Sequence, residues 1–148
     1  MAATPSSRPY LCNCGALRKA SRRVSRLYDE ALAPIGLGSS QHTLLVEISR
    51  WEGSQAPTLW ELAESMVMDR TTIARNLKPL ERDGYVAIRP SKTDRRSKLV
   101  SLTAAGTAKV AESKPYWLQA QKAFERAFGA KEAAVLREQL LSIANDHA

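Results

Sequence analysis

Cysteine is scarce in this chain, which has only Cys12 and Cys14. They stand too close together for a framework disulfide, which fits a reducing compartment. Long apolar runs are missing too: no stretch approaches the ~20 residues that a membrane span needs. The opening MAATPSSRPYLC has no apolar core of the kind an export signal carries, so a cytoplasmic protein without membrane association is expected. No glycine-rich loop is placed to cradle a phosphate, no metal-ligand spacing occurs, and no nucleophile stands with a recognisable base. A metal at Cys12 and Cys14 would find only His42 and His147 to complete its ligand set. An enzyme therefore has no support in the sequence, and no cofactor is expected. Repeats and low-complexity segments are also lacking.

The 148 residues are 44% hydrophobic and 25% charged, which is ordinary for a soluble globular protein. That length suffices for one domain with a real core, or for two small lobes sharing helices. The formal net charge is +7, and it is focused. Residues 70–98 hold nine cations (Arg70, Arg75, Lys78, Arg82, Arg89, Lys92, Arg95, Arg96 and Lys98) against Glu81, Asp83 and Asp94, a net +6. A second basic cluster, Arg18, Lys19, Arg22, Arg23 and Arg26, lies near the start, while the part from Ala130 onward is slightly acidic. Focused charge of this sign points to a polyanionic partner.

The first ten residues read as a loose Ser/Pro-rich arm. From Leu11 to Ala33 the pattern is helical, with Cys14, Leu17, Ser21, Val24, Tyr28 and Leu32 on one face and the basic cluster on the other. Pro34 and Gly36 stop this helix. A second helix is expected over Gln41–Trp51, on the stripe Leu44, Leu45 and Ile48. After a loop at 53–57, Thr58 and Glu61 form a capping box for a short helix carrying Leu59, Leu62, Ala63 and Met66. A turn at Val67–Met68 leads to Asp69, a good cap for the next helix, which Gly84 ends. Tyr85–Arg89 and Lys98–Leu102 read as two strands joined by the cationic turn PSKTDRRS, a β-hairpin with a charged tip. Thr103 caps a long helix over roughly 104–128, interrupted at Pro115. Gly129 separates it from a last helix with Leu136, Leu140, Ile143 and Ala144 at helical spacing.

The 70–83 helix is the informative one. Its apolar residues Ile73, Leu77 and Leu80 share one side. Thr71, Thr72, Arg75, Lys78, Pro79 and Arg82 share the other, with Arg70 and Asn76 nearby. A short helix, a turn and then a helix with a cationic, hydroxyl-bearing face make a helix-turn-helix. Such a helix fits the major groove, where arginine pairs with guanine and threonine bonds bases or touches a thymine methyl. Its cations neutralise phosphates, which makes affinity fall with salt. Pro79 cannot donate to the Arg75 carbonyl, so a bend is expected there. Solvated surface is the ordinary reading of a charged face. It loses here because the capped helix pair and the cationic hairpin follow one another directly. Lys92, Asp94, Arg95, Arg96 and Lys98 of the hairpin join Arg70, Thr71, Thr72, Arg75, Asn76, Lys78 and Arg82 as candidate DNA contacts.

Four segments carry a resemblance to a known family: TLWELAE at 58–64, TTIARNL at 71–77, LERDGYV at 80–86 and DRRSKLVSLTAAG at 94–106. They resemble the MarR-family winged helix-turn-helix regulators, whose wing signature matches Asp94, Arg96, Leu102, Thr103 and Gly106. The resemblance implies a mainly α fold with a small β-hairpin wing. Residues 53–102 would be the winged helix-turn-helix lobe, and 11–52 with 103–148 the helical dimerisation region. It further implies a homodimer on a near-palindromic stretch of double-stranded DNA, with Arg96 in the minor groove and Asp94 bracing that arginine.

The resemblance also implies a small-molecule effector, an aromatic carboxylate or phenol, held between the dimer helices and the winged lobe. Arg22, Tyr28, His42, Val46 and Trp117 are the candidates, a cation and an imidazole beside aromatic walls. Packing in the core or dimer is the plainer role for Tyr28 and Trp117, and a satisfied half-buried imidazole the plainer one for His42. Cys14 stands where the peroxide-sensing branch of the family carries its reactive cysteine, and Tyr28 matches a tyrosine of that branch. Two further tyrosines of the branch are replaced by Arg18 and His42. A buried, inert Cys14 is the alternative. Three functions stay open: a regulator, of the repressing kind by that resemblance, released by a ligand; the same scaffold switched by oxidation of Cys14; and an architectural or interaction module with no effector.

Overall fold

Cys12 opens the first helix, because its Sγ accepts the Gly15 N–H at 3.3 Å. Helix α1 thus spans Asn13–Leu32, and Leu11 stays outside it, largely exposed. The computed structural model describes residues 8–146, so most of the expected arm, and His147, lie outside the described residues. A short 3-10 turn, Ala33–Ile35, follows α1. The next helix, α2 (Ser39–Ser49), starts two residues before the expected Gln41. The reason is local: Gln41 Oε1 accepts the Gly38 N–H at 3.0 Å and Asp29 Oδ1 accepts the Ser39 N–H at 2.6 Å, so the chain turns helical at once. Then come α3 (Leu59–Ser65), α4 (Arg70–Arg82), β1 (Val86–Pro90), β2 (Lys98–Leu102), α5 (Ala104–Phe128) and α6 (Ala130–Ala144). The fold is mainly α with a two-stranded antiparallel wing, a winged helix-turn-helix.

Proline decides less than expected. Helix α5 is not interrupted at Pro115 but runs through it. Pro115 cannot donate to the Ala111 carbonyl, yet both residues are exposed, so water can satisfy the orphan oxygen. Helix α4 runs on past Pro79 to Arg82, in keeping with its expected extent, and the Pro79 carbonyl still accepts the Asp83 N–H at 2.9 Å.

The core gathers under the wing. Leu32, Leu44, Leu45, Ile48, Leu62, Ile73, Leu77, Leu80 and Val100 are fully buried, drawn from α1, α2, α3, α4 and β2. Burying each such side chain contributes roughly 1.5–3 kcal/mol. The strands pair Val86 with Leu102, Ile88 with Val100 and Pro90 with Lys98. The Val100 N–H also donates to the Pro57 carbonyl at 2.9 Å, and Thr58 bridges to Leu99. The wing is thereby tied to the start of α3. Helix α1 packs along α5, where the Tyr28 hydroxyl donates to Gln121 Oε1. Helix α6 buries only Ala133 and leaves Val135, Leu140, Leu141 and Ile143 exposed, with Phe128, Leu118 and Leu17 exposed on α5 and α1. Among the described residues no helix is long and apolar enough to cross a membrane.

The turn between α3 and α4 holds a strained residue. Val67 sits at φ 53°, in the left-handed region where a β-branched side chain crowds its own backbone. The residue is 68% exposed and so gains little from packing. Asparagine tolerates this conformation. Val67→Asn is expected to raise stability by about 1 kcal/mol, read as a melting point higher by ~2–4 °C. A lower melting point would mean that the valine side chain does more than fill solvent.

Candidate nucleic-acid interface and effector cavity

The two helices of the helix-turn-helix are set by their caps. Thr58 Oγ1 accepts the Glu61 N–H at 3.0 Å, and Glu61 Oε1 accepts the Thr58 N–H at 3.2 Å, closing the expected capping box on α3. Asp69 Oδ1 accepts the Thr72 N–H at 2.7 Å at the head of α4. That backbone bond, with the Thr72 hydroxyl after it, holds the Asp69 carboxyl below its ordinary range. Helix α4 turns Ile73, Leu77 and Leu80 inward and leaves Arg70, Thr71, Arg75, Lys78 and Arg82 exposed, as its periodicity required. Thr72 and Asn76 are half-buried, and Asn76 Nδ2 lies 3.9 Å from Met68 Sδ. Arg82 leans back on Asp83 at 3.4 Å, so part of its charge is used locally.

The wing tip is a built turn. The Ser91 N–H donates to the Ser97 carbonyl at 2.8 Å, and the Ser97 N–H to the Asp94 carbonyl at 3.0 Å. Asp94 Oδ1 accepts the Arg96 backbone N–H at 3.0 Å, and Asp94 Oδ2 accepts the Ser97 hydroxyl at 3.3 Å. Asp94 therefore meets Arg96 through its main chain, not its guanidinium, and no ion pair to that guanidinium forms among the described residues. Lys92, Asp94, Arg95, Arg96 and Lys98 are all exposed. Arg96 and Lys98 face Arg70 and Ala74 of α4 across a cleft of about 730 Å³. The same cleft holds a residue that the sequence reading passed over: Trp60, whose ring lies 4.2 Å under the Arg70 guanidinium. Its place in the TLWE capping segment, beside the cap and off the apolar stripe, was the one signal available.

The effector candidates separate. Tyr28, His42 and Trp117 line one cavity of about 350 Å³, with Val24, Ser25, Ser39, Ser40, Thr43, Met66 and Met68. Arg22, Val46 and Cys14 do not line it. Arg22 is exposed on α1, and Val46 is half-buried on α2. The cavity therefore has no lysine or arginine in its wall. Burial lowers the His42 pKa, which favours its neutral form, so the expected cationic partner for a carboxylate is absent from this wall. Tyr28 is pushed the other way: burial raises its pKa, Glu125 raises it further and Arg137 opposes. Cys12 and Cys14 are both exposed, which departs from the buried alternative for Cys14.

Comparisons with known proteins place the family and the fold. The model of the MarR family matches residues 37–98, from the start of α2 to the wing. The transcriptional activatory protein BadR of Rhodopseudomonas palustris is 34% identical over 71 residues, 48% of this chain and 41% of its own length. An uncharacterized HTH-type transcriptional regulator of Bacillus cereus is 31% identical over 104 residues, 70% of this chain and 67% of that one. The chain thus spans less than half the length of BadR and about two thirds of the Bacillus protein. Among solved structures, the transcriptional regulator MOSR of M. tuberculosis in complex with DNA superposes with a TM-score of 0.79 at 32% identity, covering 90% of this chain and 93% of that one.

Proposed function

This chain belongs to the MarR family, and from that premise we propose that it is a DNA-binding transcriptional regulator, acting as a homodimeric repressor on a near-palindromic operator. The observation that carries this reading is the exposed cationic face of α4, set beside the cationic wing across one cleft. Thr71, Thr72, Arg75 and Asn76 meet base edges in the major groove. Lys78 and Arg82 meet phosphates, and Arg96 enters the minor groove while Lys92, Arg95 and Lys98 hold the strand beside it. A second copy covers the apolar side chains that α1, α5 and α6 leave exposed. The two α4 helices then reach successive major grooves, ~34 Å apart.

A small aromatic ligand in the cavity of Tyr28, His42 and Trp117 modulates this binding. Met66 and Met68 of that wall flank the turn into α4, and Met68 touches Asn76. A ligand wedged there moves the recognition helix directly, and both helices must fit their grooves together. A cavity wall of hydroxyls, a neutral imidazole and two aromatic rings suits a phenol at least as well as a carboxylate. A second reading, release by oxidation of Cys14, is favoured by the exposure of that thiol.

The test is a titration of the DNA beside the protein's own gene, with the oligomeric state measured in parallel. Two protomers per site are expected, with affinity that falls as salt rises. A panel of aromatic acids and phenols is expected to release the DNA. Hydroperoxide is expected to release it only in the second reading, and Cys14→Ser then abolishes that response. A lone protomer, or binding indifferent to salt, overturns the proposal.

A further inference from the structure

Trp60 is 49% exposed in the cleft it shares with Arg70, Arg96 and Lys98, outside the buried core. A large apolar ring in that position needs a reason. Its indole lies 4.2 Å below the Arg70 guanidinium, the distance of a cation–π stack. Arginine has many accessible rotamers when exposed; resting on a ring, it keeps few. A guanidinium held flat on one face still presents its N–H edge, a fork that matches the oxygens of a phosphate. Arg96 and Lys98 stand across the cleft, which spans about 730 Å³ and opens to solvent. The one carboxylate in its wall, Glu61, is turned to the Thr58 N–H, and Arg70 makes no ion pair among the described residues. Three cations, one of them stacked on the indole, therefore face one opening.

The geometry points to Trp60 as the positioning residue of a phosphate seat: its indole holds Arg70 so that Arg70 and Lys98 grip the sugar-phosphate strand that runs between the groove α4 enters and the minor groove that takes Arg96. This rests on the DNA-binding reading above. Arg70 is the first residue of α4 and leans toward α3 and the wing, whereas Arg75 stands a turn further along the helix. The seat therefore contributes affinity without sequence preference. It also makes the wing and the helix-turn-helix act on one strand as a unit.

The experiment compares the full chain with Trp60→Leu, Trp60→Phe, Arg70→Ala and the Trp60→Leu/Arg70→Ala double variant. Fluorescence anisotropy is read on two duplexes, the promoter region beside its own gene and an unrelated sequence. Trp60→Leu is expected to weaken binding roughly three- to tenfold, by the same factor on both duplexes. Trp60→Phe keeps a ring face and is expected to retain most of the affinity. In the Arg70→Ala background, Trp60→Leu is expected to add nothing, since the ring then has no cation to hold. Unchanged binding by Trp60→Leu overturns the seat. So does full additivity with Arg70→Ala, or Trp60→Phe as weak as Trp60→Leu. Should Trp60→Leu melt early, Trp60→Phe against Arg70→Ala still decides. If the wild-type chain binds neither duplex, the DNA reading itself falls. If it binds and only the Trp60 series is flat, the seat alone falls.

Discussion

Gly106→Ala is expected to lower the stability of the chain by about 3 kcal/mol or more, although alanine is the better helix former by ~1 kcal/mol. The sign is therefore diagnostic. A Cβ on Gly106 would come within 2.0 Å of the Tyr85 carbonyl oxygen, 3.0 Å of its carbon and 3.3 Å of Leu102 Cδ2. Two of those atoms are backbone and cannot swing aside. The Tyr85 oxygen is also in use, accepting the Thr103 N–H at 3.0 Å. Thr103 Oγ1 accepts the Gly106 N–H at 3.0 Å and donates to the Gly84 carbonyl at 2.5 Å. The first turn of α5 is thus bolted to the corner between α4 and β1. A methyl group there must pry α5 off that corner and loosen all three bonds together. For a domain of this size the melting point should fall by ~10 °C, read by circular dichroism, with the helix content at low temperature little changed. An equal or higher melting point for Gly106→Ala would show that α5 can shift freely against β1.

Removing two arginines should abolish most of the DNA affinity while leaving the fold alone. Arg75 and Arg96 are exposed and make no ion pair among the described residues, so Arg75→Ala and Arg96→Ala should melt with the wild type. Arg75 is proposed to read a base edge, and such a bidentate contact is worth ~1–3 kcal/mol. Arg75→Ala should therefore lose about ten- to hundredfold on the operator and far less on unrelated DNA. Arg96 is proposed to act through the minor groove and phosphates. Arg96→Ala should weaken both duplexes and reduce the slope of log affinity against log salt by ~1 for each arginine lost. These are the effects per half-site, and a homodimer meets each of them at both half-sites. Arg82→Ala should cost less, because Arg82 already shares its charge with Asp83 at 3.4 Å. Anisotropy titrations at four salt concentrations give all of these. An Arg75→Ala variant as selective as the wild type would take α4 out of the major groove.

The elements themselves were readable because their signals are local. Thr58 with Glu61, Asp69 and Thr103 each act within three residues, and all form the caps that their spacing implied. Ile73, Leu77 and Leu80 mark the inner face of α4 by period alone, so the outward direction of Arg75 and Lys78 was settled with them. The β-hairpin followed from two short β-rich runs around a polar turn. Prolines misled at 115, because the cost of a missing N–H depends on whether water reaches the orphan carbonyl, and that is a property of the packed surface.

What the chain's order of residues determined by itself is which segments turn helical, where they stop and which side of each carries charge, since these depend on neighbours a few positions away. Tertiary structure alone decided the rest. It placed Trp60 under Arg70, ten positions on and one helix later. It turned Asp94 to the Arg96 main chain, left Arg22 and Val46 out of the cavity that Tyr28, His42 and Trp117 share, and brought Gly106 against Tyr85. Each of those is a meeting between separate elements, set by how the helices cross and which side chains fill the space between them. No local pattern encodes the distance across a gap that only packing closes.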